Sequence, residues 1–334
     1  MANVTKTADF EVNGIEAFGL WADPIVNAPN MPWMGWTRRT NITYRKQKLI
    51  YHDHLGDILQ FNNSCGFDPS DIFNIYERYI ETTALKVNLE LCAKDFDCTL
   101  IEPLLGTGVD KANQVGGAVA NIIIQQQRTA TMRDLYKTSW FGVKGAARSY
   151  ASRFDGIWTK VKELVDTVTP ANGYIPYVDA GSGSPLQAGD VLTLLKNVMD
   201  NQTNTLFEAM PNEKVLYVSR SVYEALQYEY TIQNGCCTDL ALTNIQGGVP
   251  VLRYMGVEVK VVTMWDVFFN QEGLQDQHYV MLTLPNNLIL GTNQERDMNR
   301  IEVWYDQREQ TNCFRAEFEF GVDFFHPELF SVAY

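Results

Sequence analysis

Over residues 84–102 the chain alternates, with Leu85, Val87, Leu89 and Leu91 on one side and Lys86, Asn88, Glu90 and Cys92 on the other. A period of two predicts a β-strand with one apolar face. A turn at Ala93-Lys94-Asp95 can return the chain through Phe96, Cys98, Leu100 and Pro103, making a two-stranded ribbon. A ribbon of two strands is barely stable in water and needs something to lean on. Ahead of it, residues 1–48 mix Asn, Pro and Thr with isolated Trp21, Trp33 and Trp36 and show neither helical nor strand period. Such an arm builds no core of its own. Its aromatics need a surface, either on their own domain or on another subunit.

The pattern changes after Gly106-Thr107-Gly108. Residues 110–138 carry helix formers such as Ala118, Ala120, Met132 and Leu135 together with Ile122, Ile123 and Ile124, and predict one long helix. Gly116 and Gly117 weaken its first turns by about 1 kcal/mol each. Gln125, Gln126 and Gln127 face three directions, as on a helix lying across a polar-lined surface. Residues 154–168 predict a second helix through Ile157, Trp158, Val161, Leu164 and Val165. Breakers from Pro170 to Pro185 then mark a subdomain boundary.

Beyond it come an amphipathic stretch at 190–207, a short apolar strand at 214–218 and a helix at 219–232 with Ser219 as its N-cap, a mixed α+β module. From Val249 onward the chain reads as antiparallel sheet. Residues 251–254 and 257–262 flank a Met255-Gly256 turn, and 279–284 and 288–291 flank Pro285-Asn286-Asn287, both predicting hairpins. Residues 301–305 and 314–320 follow. In the last, Phe314, Ala316, Phe318 and Phe320 alternate with Arg315, Glu317 and Glu319, which read as a wet face.

With 334 residues, 46% of them hydrophobic, the chain can bury one large core or two modest ones. The formal charge of −13 is spread along the whole length and argues against gripping nucleic acid phosphates. The first ten residues lack the basic and apolar regions of a secretory signal, and no apolar run reaches the roughly 18 residues of a bilayer span. These features predict a protein made in the cytosol with no membrane partner. Cys65, Cys92, Cys98, Cys236, Cys237 and Cys313 form no CxxC pair and read as reduced thiols.

Catalytic signatures are missing from the sequence. His52-Asp53-His54 can put two imidazoles on one strand face, but no third metal ligand is in view. His326, ahead of Pro327, reads as a packing or capping residue, and Gly181-Ser182-Gly183-Ser184 as a flexible loop. There is no phosphate-cradling Gly loop, GxSxG elbow or GxGxxG turn. The expectation is no catalytic, cofactor-binding or metal-binding residue, and no cofactor.

Asn244-Ile245-Gln246-Gly247-Gly248-Val249-Pro250-Val251-Leu252, Gly256-Val257-Glu258-Val259, Pro285-Asn286-Asn287-Leu288-Ile289-Leu290-Gly291-Thr292 and Ile301-Glu302-Val303-Trp304-Tyr305-Asp306 together resemble the C-terminal half of tailed-phage major capsid proteins. So does the close, Ala316-Glu317-Phe318-Glu319-Phe320-Gly321-Val322-Asp323 followed by His326-Pro327-Glu328-Leu329. The resemblance covers roughly the last 90 residues, with a weaker echo at Phe154-Asp155-Gly156-Ile157.

It implies the α+β Hong Kong 97-type capsid fold. Its expected parts are an N-terminal arm at 1–48, an extended hairpin region at 49–104, a peripheral domain with a long spine helix and antiparallel sheet at 105–168 and 271–334, and an axial domain at 169–270. The tip of the hairpin can instead involve residues 51–64. The implied function is self-assembly into hexamers and pentamers of an icosahedral head enclosing double-stranded DNA without sequence-specific binding. Portal, scaffolding and decoration proteins of the same phage are the further partners it implies, and the virion is the location. The alternatives are a decoration or tail-tube subunit, or an enzyme of unknown class.

Overall fold

The computed structural model describes residues 10–13, 35–40, 42–52, 75–92, 118–147, 150–165, 175–181, 183–186, 189–233, 244–246, 249–274, 276–293, 300–309 and 311–334. The strands are β1 (Phe10–Asn13), β2 (Thr37–Arg39), β3 (Lys46–His52), β4 (Ile75–Glu81), β5 (Thr83–Cys92), β6 (Tyr177–Val178), β7 (Val215–Val218), β8 (Asn244–Gln246), β9 (Val249–Val251), β10 (Arg253–Tyr254), β11 (Val257–Val261), β12 (Val280–Thr283), β13 (Leu288–Thr292), β14 (Arg300–Asp306), β15 (Thr311–Phe324) and β16 (Phe330–Ala333). The helices are α1 (Ala118–Phe141), α2 (Ile157–Val165), α3 (Asp190–Asp200), α4 (Asn204–Glu208), α5 (Arg220–Gln233) and α6 (Thr263–Glu272).

One sheet is built around the 14-residue β15. Phe320 has Thr83 of β5 as one cross-strand neighbour and Thr292 of β13 as the other, so β13 and β14 follow each other along one edge of β15 and β5 lines the opposite edge. The arm joins this sheet: β1 pairs with β14, and β2 runs parallel to β13. Trp36 is buried against Trp140, ring centroids 5.4 Å apart, so this arm aromatic finds its surface within its own chain. Trp21 and Trp33 lie outside the described residues.

The second sheet has the order β10-β11-β7-β12-β16-β6. Its central strands β7, β12 and β16 are buried at every residue because both of their faces are covered. Val215 and Tyr217 turn into the main core with Trp140, Trp158 and Trp265, whereas Leu216 and Val218 turn into a second core under α3 and α5. A strand covered on both sides reads as a continuous apolar run, which is how residues 214–218 appear in the sequence. The main core is aromatic: Trp140 meets Trp265 edge-on at 5.1 Å, and Phe141 stacks on Phe268 at 4.5 Å. Pairs of this geometry add about 1 kcal/mol each beyond burial.

Tyr217 and Tyr279 sit in this core, and burial pushes each phenol up to about 12. An unfolded chain loses these protons near 10. The folded state therefore holds protons that the unfolded state has released, and the associated stability is present below pH 10 and lost as pH rises through 12. Tyr217→Phe is expected to raise the midpoint of alkaline unfolding, followed by far-UV circular dichroism, while leaving neutral-pH stability nearly unchanged.

Several local expectations need correction. The spine helix runs on to Phe141 rather than ending at Thr138. Residues 190–207 form two helices, and Thr203 caps the second by accepting the Leu206 N–H at 3.2 Å. Ser219 does hold the N-cap position of α5, its carbonyl accepting the Tyr223 N–H at 3.1 Å, while its hydroxyl takes the Tyr279 N–H at 3.3 Å and Asp266 accepts the Arg220 N–H at 3.1 Å. Met255 and Gly256, at φ 49° and 83°, do turn β10 back onto β11. Pro285-Asn286-Asn287 makes no hairpin. β12 belongs to the second sheet and β13 to the first, so this short 3₁₀ turn carries the chain from one sheet to the other.

Candidate assembly surface

A two-stranded ribbon flanks residues 53–74, a stretch that overlaps the alternative hairpin tip at 51–64. β3 pairs with β4 in an antiparallel ladder from Lys46↔Glu81 to His52↔Ile75, while β5 belongs to the first sheet through its partner β15. Residues 53–74 and 93–117, which include the expected return through Phe96 and Cys98, lie outside the described residues.

The ribbon has two unlike faces. Leu49 and Ile80 are buried with Ile42 and Ile289 in a small core of their own, and Tyr51 stacks on Tyr76 and meets the His326 ring edge-on at 4.8 Å. The other face carries Ile50 at 64% exposure, Ile75 at 58% and Tyr79 at 44%, among the ion pairs Lys46–Glu81 and Lys48–Glu77. Large apolar groups held this open to water are the mark of an interaction surface. Tyr44, 85% exposed, stands at the root, where Tyr44 and Arg45 both adopt left-handed backbone (φ 57° and 61°) that costs a non-glycine residue about 1 kcal/mol or more.

At its root the ribbon crosses the first sheet over two opposed glycines. Gly291 and Gly321 are cross-strand partners. A Cβ on Gly291 would lie 2.5 Å from Ile42 Cδ1 and 2.9 Å from Ile80 Cδ1. A Cβ on Gly321 would overlap the Glu81 carbonyl oxygen. The pair thus leaves a slot in the sheet into which the chain at Ile42 and at residues 80–82 settles.

Charges secure the slot on both sides. Asp323, 2% exposed, accepts from Arg78 Nε at 2.9 Å and Lys160 Nζ at 2.8 Å, and Lys160 also donates to the Val322 carbonyl at 2.7 Å. Arg78 lies over the Phe324 ring at 3.9 Å. Glu319, read from the sequence as solvated, is 1% exposed and accepts from Arg45 Nε at 3.0 Å. The ribbon lies over the face that the alternation assigns to water. Glu317 remains half-buried and holds Arg315.

The other sequence candidates stay apart. His52 ends β3, and Asp53 and His54 lie outside the described residues. Among the described residues no three His, Cys, Asp or Glu side chains are grouped to hold a metal ion, and no helix is long and apolar enough to cross a membrane. His326 exchanges hydrogen bonds with Asn287, its N–H to Oδ1 at 2.8 Å and its carbonyl from Nδ2 at 2.9 Å. Gly181 and Gly183, at φ 70° and 81°, sit in the loop beside Ser184, whose carbonyl meets His278 Nε2 at 2.9 Å.

No family model and no curated protein matches the sequence. Solved structures do match. A chain of the satellite phage P4 procapsid including the size determination (Sid) protein aligns with a TM-score of 0.57 and 12% identity over 93% of this chain and 90% of that one. A chain from the capsid of Myoviridae phage XM1 aligns at 0.52 and 12% over 90% and 89%. One from the capsid of cyanophage P-SCSP1u aligns at 0.51 and 11% over 100% and 91%. Across nearly its whole length, therefore, the chain has the α+β fold of phage capsid subunits that the sequence resemblance implies.

Proposed function

We propose that the chain is the major capsid subunit of a tailed bacteriophage, a structural protein that closes with copies of itself into hexamers, pentamers and an icosahedral head around double-stranded DNA. The observation that supports this most directly is the ribbon of β3 and β4, which holds Ile50, Ile75 and Tyr79 open to water while its root is anchored by a glycine slot and buried ion pairs. Among the described residues, nothing covers the surface that this anchoring holds in place. A second copy supplies the cover, by burying apolar area between subunits. The net charge of −13 suits a shell that encloses DNA without gripping it. On this reading residues 1–48 are the arm, 169–270 the axial domain, the virion is the protein's location and the host cytoplasm the place of its synthesis. Portal, scaffolding and decoration proteins are its other partners.

The test is expression of the chain alone and with neighbouring phage genes, followed by sedimentation and electron microscopy. Rings or closed shells are the expected product, and a chain that stays monomeric at high concentration with a scaffolding partner overturns the proposal. Tyr44→Gly sharpens it. Relief of the left-handed backbone should leave monomer stability unchanged or higher by up to about 1 kcal/mol. Loss of the exposed ring should lower the yield of assembled particles at the same protein concentration.

A further inference from the structure

Among the described residues β5 is an edge strand. One side pairs with β15 over ten residues, and among the described residues no strand pairs with the other. An edge of this length without Pro, Gly or a bulge is a template for a strand from another chain. Its sequence reads nearly the same in both directions about Asn88: Val87 mirrors Leu89, and Lys86 mirrors Glu90 with opposite charge.

We infer that β5 pairs antiparallel with β5 of a second copy about a two-fold axis at Asn88, joining the first sheets of two subunits into one. In that register Lys86 faces Glu90 of the second copy twice over, and Val87 faces Leu89. Both charges stand on the exposed side of β5. Within its own chain Lys86 already has Glu317 as cross-strand neighbour, and Glu90 accepts the Thr311 hydroxyl at 2.9 Å, so the added strand extends a ladder of alternating charge. Leu89, 38% exposed in the single chain, gains cover. A strand is self-complementary across a two-fold axis only if its charges invert about the centre, and an arbitrary strand has no reason to satisfy this.

The inference rests on the capsid reading in that it requires a second copy. Its test begins with Asn88→Cys in the full chain, oxidised under conditions in which the unaltered chain assembles, with cross-linked peptides identified by mass spectrometry. Directly opposed residues in an antiparallel pair have Cβ atoms about 5 Å apart, near disulfide reach. A peptide joining residue 88 of two copies is the expected result. Lys86→Glu and Glu90→Lys singly should each weaken association roughly fivefold by setting like charges opposite each other, and the double reversal should restore it. Assembled particles with no such cross-link and no effect of either single reversal overturn the strand pairing and leave the capsid reading standing. Residue 88 joined to Cys98 of its own chain shows the edge covered from within and also overturns it. An unaltered chain that never assembles and gives no cross-link removes both.

Discussion

Asp323→Ala is expected to cost about 3 kcal/mol and to free the ribbon. The carboxylate is 2% exposed and is the shared acceptor for Arg78 and Lys160, whose side chains are themselves only 20% and 18% exposed. Removing it leaves two cations facing each other with little water to take its place, and breaking a buried pair from one side typically costs 3–5 kcal/mol. The Phe324 N–H, which donates to Asp323 Oδ1 at 2.8 Å, loses its acceptor as well. The exposed pair Lys48–Glu77 provides the contrast, since Lys48→Ala should leave the urea midpoint nearly unchanged. Urea unfolding of the two variants, with limited proteolysis within residues 46–81, checks both magnitude and place. Equal and small losses would mean that Asp323 does not secure the ribbon.

The second large effect is steric. Gly321→Ala adds a single methyl group, yet that group overlaps the Glu81 carbonyl oxygen and comes within 3.1 Å of Thr82 Cα. Neither neighbour is a side-chain tip that can swing away. The Thr82 N–H is bonded to the Arg45 carbonyl at 2.9 Å, and Glu81 is the ladder partner of Lys46. The ribbon root must lift from the sheet, at a cost of about 3 kcal/mol, the upper part of the range for overpacking. The effect should appear as a lower urea midpoint together with early proteolytic cleavage near Arg45. A variant as stable and as resistant as the parent would show that the root does not sit in the slot.

Where the sequence pattern succeeds and fails has a physical cause in each case. The Met255-Gly256 hairpin and the β14–β15 pair were legible because their partners are close in the chain and the turn residues fix the geometry. Pro285-Asn286-Asn287 carries equally good turn chemistry, but β12 and β13 find better partners elsewhere: β12 lies between β7 and β16, and β13 beside β15. Local propensity specifies that the chain bends, not which sheet it enters. The ribbon enters the sequence reading only as the alternative tip at 51–64, because its strands are joined through residues 53–74 and its buried face is defined by Ile289, about 240 positions away from Leu49. Glu319 shows the same limit. Alternation along β15 puts it opposite Phe318 and Phe320, and only the tertiary fold reveals that the opposite face is covered.

The second sheet also bears on how the two cores form. β16 lies between β12 and β6, and β12 separates it from β7, so residues 330–333 occupy an interior position in a sheet whose other strands come from as far back as Tyr177. The first sheet likewise waits for β15. Until β12 and β16 have paired, the wall shared by the two cores is incomplete, and neither core can close by itself. The two cores are therefore expected to form in one cooperative step rather than one after the other.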